Sequence, residues 1–301
     1  MDNRFFDVII IGGSYSGLSA GMALGRSLRN ILMIDSGKPC NEQTPHSHNF
    51  LTQDGKTPKE ISTIAKEQVM KYDTVQFHNG LVIKAVKTSE GFEIETAAGE
   101  KLSCKKLIVA TGIKDSKPDI PGFNECWGIS VIHCPYCHGY EVKNETTGIL
   151  ANGDMAYEFA KMIAHWTKDL TLFTNGKAAF TSEQLEKLNE HHIVVNEDEI
   201  KEIIHENGYI QKVLFHNEKE ASLKALYTKL PFEQNLNVSE DLGCELNEHG
   251  FIITDPFQRT NIYGLYACGD NVNMMRSVAN AVAQGSLAGV MVNKELIEES
   301  F

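Results

Sequence analysis

Nine consecutive residues, His133-Cys134-Pro135-Tyr136-Cys137-His138-Gly139-Tyr140-Glu141, hold the side chains best suited to chemistry. Two thiols separated by two residues can close a small disulfide ring and reopen it, which moves an electron pair. The attacking species is the thiolate, so a neighbour that takes or returns a proton matters. His138, beside the second thiol, titrates near neutral pH and is placed to do so. Three other readings fit the same residues. Cys134, Cys137, His133 and His138 could ligate zinc, although structural zinc usually draws on a second ligand pair at a set spacing and none follows. Cys137-His138 completes the C-x-x-C-H pattern of haem attachment, which requires an exported chain. Two buried, inert cysteines are the third reading.

The 301 residues suffice for roughly two domains, and 42% hydrophobic with 23% charged residues is an ordinary globular balance. A formal net charge of -12 without any Lys/Arg run argues against a nucleic-acid partner. The start, Met1-Asp2-Asn3-Arg4-Phe5-Phe6, runs straight into a predicted strand and leaves no room for an export signal. No apolar run is long enough for a bilayer, so no membrane partner and a cytoplasmic location are expected. Seven scattered cysteines do not form a secreted disulfide framework, and in a reducing compartment a C-x-x-C pair is more plausibly catalytic than structural.

The elements around the pair supply its context. Asp7-Val8-Ile9-Ile10-Ile11 reads as a buried parallel strand, followed by the glycine turn Gly12-Gly13-Ser14-Tyr15-Ser16-Gly17, a small-residue helix, and a second strand closing on Asp35. This is a dinucleotide fingerprint: a helix N-terminus for a pyrophosphate and an acid for a ribose, with Ser14 in place of the middle glycine. The loop after Asp35 carries His46 and His48, read as solvent-facing. Thr57-Pro58-Lys59-Glu60 predicts a capped helix to about Lys71. Residues 74–78, 81–87 and 92–96 read as an antiparallel meander inserted before the buried strand that ends in Ala110-Thr111-Gly112.

Residues 113–122, with Pro118 and Pro121, read as a crossing between domains. Beyond the cysteine stretch, a strand ending in Ala151, the turn Asn152-Gly153-Asp154, a helix over 155–166 and a strand over 170–174 form a second, degenerate nucleotide unit. Ala151 and Ala156 stand at its first and third glycine positions and Gly153 at the second. Thr174-Asn175-Gly176-Lys177 brings neither the arginines of a 2′-phosphate site nor the acid of a free ribose site. A strand within residues 261–270, closing on Gly269-Asp270, and a long small-residue helix over 277–296 return the chain to its first domain.

In this order the motifs resemble the thioredoxin reductase-like flavoprotein family, the compact pyridine nucleotide-disulfide oxidoreductases. The resemblance implies an α/β fold of two Rossmann-like, three-layer domains, the second inserted in the first. Residues 1–115 and 228–301 would bind FAD, and 116–227 would form an NAD(P)-binding-like domain carrying the cysteines. FAD would lie along Gly12, Gly13, Ser14, Ser16, Gly17, Asp35, Ser36, Asn49, Ala110, Thr111, Gly112, Gly269 and Asp270. Asp35 would hold the adenosine ribose, Asp270 a ribityl hydroxyl, and the amides around Ser277 and Val278 would face the flavin pyrimidine. Gly153 marks the candidate nicotinamide site, for NADPH or NADH. A homodimer is implied, with Cys137 facing the flavin and Cys134 exchanging with substrate.

His138 stands where thioredoxin reductases commonly have aspartate, and Cys-Pro-Tyr-Cys-His-Gly-Tyr-Glu is similar to small-molecule dithiol oxidases of the same family. The leading expectation is an FAD-dependent disulfide oxidoreductase taking electrons from a nicotinamide to a thioredoxin-like protein or small-molecule disulfide. The alternatives are a dithiol oxidase that passes electrons to oxygen, a ferredoxin-type donor in place of the nicotinamide, and a non-catalytic redox sensor.

Overall fold

The computed structural model describes residues 5–301; the sequence reading of residues 1–4 lies outside the described residues. The β-branched run near the start forms β1 (Phe5–Ile11), whose Val8, Ile9 and Ile10 are fully buried, as expected for a strand covered on both faces. The chain turns through Gly12, follows α1 (Tyr15–Arg26) and returns as β2 (Ile31–Asp35), parallel to β1. A loop leads to α2 (Pro58–Val69), whose start is fixed by the expected capping box of Thr57 and Glu60.

The next strand, β3 (Val75–Asn79), corrects the sequence reading. It is not part of a meander but pairs in parallel with β2, with Val75 opposite Ile31. A strand reached through a crossover helix is carried back as a parallel neighbour. The antiparallel part consists of β4 (Val82–Thr88), β5 (Gly91–Thr96) and β6 (Lys101–Val109).

The outgoing crossing begins as β7 (Ile113–Asp115), which pairs antiparallel with the returning β16 (Phe232–Gln234). After β16 the first unit is completed by α7 (Val238–Leu242), β17 (Leu265–Ala267) and α8 (Val278–Ser300). β6 serves two partners on one edge, β5 along its first half and β17 along its second, while β1 lines the other edge. The parallel strands β1, β2, β6 and β17 therefore end at one edge of the sheet, where ligands of open α/β sheets bind.

The small residues of α8 let it approach α1 closely. A Cβ on Gly285 would stand 2.0 Å from the Ser16 carbonyl oxygen, and one on Gly289 would stand 2.7 Å from that of Ala20. Backbone cannot yield as a flexible side chain can. Gly285→Ala is therefore expected to destabilise the protein by about 1–3 kcal/mol, read as a lowered urea midpoint; an unchanged midpoint would show that the helices separate without cost.

The second unit comprises Gln43–His48 and Ser116–Pro231. After the single turn α3 (Phe123–Cys126) come β8 (Val131–Ile132), the single turn α4 (Pro135–His138), and β9 (Thr147–Leu150). The chain continues through α5 (Gly153–Ile163), β10 (Leu170–Phe173), α6 (Ser182–Glu190) and β11 (Val194–Asn196). β12 (Ile200–Glu206), β13 (Tyr209–Phe215) and β14 (Glu220–Ser222) form a separate antiparallel sheet. β15 (Ala225–Thr228) then rejoins the parallel sheet, whose order is β11-β10-β9-β15-β8.

The fold is thus α/β, with two Rossmann-like units and the second inserted in the first. Thr228 ends β15 inside the second unit's sheet, so the chain returns to the first unit after Pro231. Gln43–His48, in sequence part of the loop between β2 and α2, also clusters with the second unit. Among the described residues no helix is long and apolar enough to cross a membrane.

Candidate active site

Cys134 is the N-cap of α4, and Pro135 supplies a first helical residue that needs no amide partner. The Cys134 carbonyl accepts from the amides of Cys137 and His138, both at 3.2 Å. This turn brings the cysteine Cα atoms to 5.3 Å, and the pair forms a disulfide. Two sulfurs bonded to each other are in the form that redox exchange uses, not the thiolates that zinc takes up. Tyr136, between them, is 65% exposed and meets Trp166 edge-on at 5.6 Å.

His138 closes the same helical turn. Burial holds its pKa below the ordinary histidine value; the Glu141 carboxylate opposes that shift and His48 adds to it. At neutral pH the imidazole is thus held neutral, the form that can accept a thiol proton. His48, read from the sequence as solvent-facing, instead lies 3.5 Å from Glu141, Nε2 to Oε1. His133 stacks on Trp127, with ring centroids 5.8 Å apart.

The buried free thiols contrast with this pair. Burial pushes Cys104 and Cys268 up to about 12, and Cys126 and Cys244 up to about 11, so all four stay protonated at neutral pH. Cys40, also outside the disulfide, is exposed.

In the first unit the glycine turn is built as a cradle. Gly12 has φ +106°, and a Cβ there would stand 2.2 Å from the Ala110 carbonyl oxygen; a Cβ on Gly17 would stand 1.9 Å from that of Gly12. Ser14 caps α1 by its backbone without a side-chain hydrogen bond, and the first turn of α1 carries no acid. The amides at this helix start are thereby left to a phosphate. Asp35 accepts from the Gly13 amide at 3.1 Å through Oδ1, and its Oδ2 takes no hydrogen bond from the described residues, which leaves it for a ribose hydroxyl.

A Cβ on Gly269, just beyond β17, would stand 2.6 Å from the Ser16 hydroxyl oxygen, so the first turn of α1 packs against the end of β17. Gly112 has open space around its Cα, and the Thr111 carbonyl accepts from Asn235 at 2.9 Å. Ser277 caps α8 by accepting from the Asn280 amide, and Val278 is that helix's first residue. Ser36 and Asn49 are exposed, and no hydrogen bond ties either side chain to the cradle. These residues fit a dinucleotide: small backbone, free helix amides and one acid at the ends of parallel strands.

Asp270 lies beside a group that sequence reading missed. Arg276 forms a two-pronged pair with Asp115, at 2.8 and 2.9 Å, and its Nε stands 3.5 Å from Asp270. Burial raises the Asp270 pKa, and Arg276 opposes that. Asn271, fully buried, donates to the Val109 carbonyl at 2.9 Å, and Gln284 accepts from the Gly269 amide at 2.8 Å.

The second cradle is closed by its own residues. Asn152 Oδ1 accepts from the amides of Gly153 and Ala179, both at 2.8 Å, and its amide nitrogen donates to the Lys177 carbonyl at 2.9 Å. Asp154 places an acid in the first turn of α5, and Glu197 accepts from the Ala178 amide at 2.6 Å. A pyrophosphate arriving there would displace Asn152 and face two carboxylates, so this end of α5 does not fit a nicotinamide dinucleotide. Gly153, the candidate nicotinamide residue, hydrogen-bonds within its own turn.

Comparison with known proteins agrees with this architecture. Residues 6–285 match the family model described as pyridine nucleotide-disulphide oxidoreductase. The chain is 32% identical over 308 residues to thioredoxin reductase tcpT of Claviceps purpurea, covering 99% of this chain and 96% of the relative. It is likewise 32% identical over 309 residues to thioredoxin reductase aclD of Aspergillus oryzae, covering 97% and 96%. Among solved structures, an oxidoreductase from Agrobacterium tumefaciens superposes with a TM-score of 0.92 at 37% identity, covering 98% of this chain and 99% of the other.

Proposed function

We propose, from the premise that this chain belongs to the pyridine nucleotide-disulphide oxidoreductase family, that it is an FAD-dependent enzyme exchanging electrons between the Cys134–Cys137 pair and a disulfide or dithiol substrate. The observation that carries this is the disulfide closed across one helical turn with His138 at its end, in a chain that also has an open glycine cradle ending in Asp35.

FAD held by that cradle, by Asp35 and Asp270 and by the amides at Ser277 and Val278 would supply the partner for the electron pair. The chain's own residues carry the thiol chemistry. In the reductive direction neutral His138 takes the Cys134 proton, the Cys134 thiolate attacks the substrate disulfide, the substrate S–S bond breaks, and the leaving thiolate takes that proton back from His138. Cys137 thiolate then attacks the Cys134 sulfur, which reforms the Cys134–Cys137 disulfide and releases the second substrate thiol. Two electrons have moved from enzyme dithiol to substrate. In the oxidative direction the same bonds form and break in reverse, with neutral His138 accepting the substrate's proton.

The closed end of α5 favours the oxidative direction as a second reading: a small-molecule dithiol enters at Cys134, with oxygen as the final acceptor. Exposed Tyr136 and Tyr140, at 65% and 70%, offer such a molecule, or the surface of a thioredoxin-like protein, aromatic faces beside the disulfide. The proposal extends to a homodimer in the cytoplasm, where the four buried thiols and Cys40 stay reduced.

The test is anaerobic mixing of flavin-loaded protein with NADPH, NADH or dithiothreitol while following the flavin band. Bleaching by the dithiol alone is expected. Bleaching by either nicotinamide on the turnover timescale would overturn the oxidative reading, and no bleaching by any of the three would overturn the flavin-disulfide function itself.

A further inference from the structure

We propose that Asp115 and Arg276 are positioning residues for the flavin half of FAD: Asp115 anchors Arg276, and Arg276 sets the carboxylate of Asp270 and the loop that carries it. This rests on the FAD site proposed above. All three residues belong to the first unit. Asp270 and Arg276 lie in the loop between β17 and α8, Arg276 directly before the Ser277 cap. The contacts assigned to the flavin half, Asp270 and the amides at Ser277 and Val278, thus stand at the two ends of one short loop.

The Arg276 guanidinium uses two of its nitrogens on Asp115, at 2.8 and 2.9 Å, and turns the third, Nε, toward Asp270 at 3.5 Å. Nε is buried and makes no hydrogen bond among the described residues. That distance lets the charges balance and is too long for Nε to occupy a carboxylate oxygen, so Asp270 keeps its acceptors for a ribityl hydroxyl. The arrangement depends on Asp115, because a guanidinium released from it would close on Asp270.

Asp115 is in turn held by backbone. It ends β7, where it is paired with Phe232 of β16, two residues before Gln234 on that strand. Gln234 donates to the Asn271 carbonyl at 3.1 Å, next to Asp270. The ribbon of β7 and β16 therefore grips the loop twice, through Gln234 near Asp270 and through Asp115 at Arg276. Within the loop, Asn273 accepts from the Met275 amide at 2.8 Å, and Asn280 of α8 donates to the Met275 carbonyl at 2.8 Å. A loop fixed in this way has little left to order when its ligand arrives, and affinity is gained by that saving.

The charges agree with the geometry. Burial raises the Asp270 pKa, Arg276 opposes that shift, and the Asp115 carboxylate adds to it. One cation thus serves two covered carboxylates. A carboxyl that gained a proton would present a donor to the ribityl hydroxyl in place of an acceptor.

The test separates the two halves of the ligand. Flavin-loaded protein is titrated with ADP, and the fluorescence of released flavin gives dissociation constants for FAD and for ADP on the same protein. ADP carries the adenosine and pyrophosphate assigned to Asp35 and the glycine cradle, and lacks the flavin half. Asp115→Asn and Arg276→Lys are each expected to raise the FAD constant by roughly 10- to 100-fold with the ADP constant unchanged, and Asp115→Glu to recover part of the affinity. FAD and ADP constants rising together would mark a general loss of the site and overturn the proposal, as would an unmoved FAD constant in both variants. Wild-type protein that retains no flavin would instead overturn the FAD site itself, and the positioning role with it.

Discussion

Cys134→Ser is expected to lower turnover of any disulfide or dithiol substrate by roughly 10³-fold or more, because serine offers no thiolate and cannot close the ring. Cys137→Ser is expected to lose turnover equally, but by a different route. Its Cys134 still attacks a substrate disulfide, and with no second thiol to resolve the product it should accumulate as a mixed disulfide. Intact-mass spectrometry would then show an adduct of the substrate thiol on Cys137→Ser and none on Cys134→Ser. Adducts on the opposite variant would exchange the two roles; full turnover by Cys134→Ser would remove the dithiol from the mechanism.

Both substitutions should leave the fold intact, which is what makes the comparison clean. The disulfide spans a sequence separation of only three, so it constrains little of the unfolded chain. The turn beneath it is held by the Cys134 carbonyl, by Pro135 and by the Trp166 contact with Tyr136, none of which needs sulfur. The four buried thiols, pushed up to about 11 or 12, should not substitute for the pair at neutral pH.

The parts legible from sequence are those set by local pattern. The β-branched run of β1, the glycine turn, Asp35 at the end of β2 and the capping box of Thr57 and Glu60 each announce themselves within a few residues. The cysteine pair is legible for the same reason. β3 misled because Val75-Gln76-Phe77-His78-Asn79 is short, half-buried and followed by Gly80, which is what a hairpin looks like locally. Its true partner is fixed by the crossover through α2, not by that turn.

The site's supporting residues were hidden because they meet only in the folded chain. His48 and Glu141 are far apart in sequence, and a histidine in a polar loop carries no mark of the carboxylate it will find. Asp115 and Arg276 lie 161 residues apart, with the inserted unit between them in the sequence. The second cradle was half legible: Ala151 and Ala156 in glycine positions signalled degeneracy, but nothing local says that Asn152 folds back onto Gly153 and Ala179. A capping side chain at a helix start and a phosphate site there compete for the same amides, and only the structure tells which has them.

Arg276→Met is the substitution expected to cost most stability. The guanidinium is largely covered, makes two parallel bonds to an Asp115 that is only 5% exposed, and faces Asp270 besides. Removing one partner of such a pair leaves carboxylates covered and uncompensated, a loss of about 3–5 kcal/mol, against a typical total of about 5–15 kcal/mol. Arg276→Lys keeps the charge without the two-pronged geometry and should recover part of the loss, which separates charge from shape if the methionine variant folds poorly.

The loss should also depend on pH in a definite direction. Burial already raises the folded pKa of Asp270, and without Arg276 it rises further. A carboxyl whose folded pKa lies above its unfolded one binds a proton more readily when folded, so it subtracts stability as pH climbs from the unfolded value through the folded one. Urea unfolding of wild type and Arg276→Met should therefore show a deficit that is smallest near the ordinary aspartate value of 3.8 and widens toward neutrality. A deficit constant with pH would mean that Asp270 does not depend on Arg276. The stability of this corner would then rest on the Asp115 bonds alone, and the ribityl-facing role proposed for Asp270 would lose the cation argued to keep it charged.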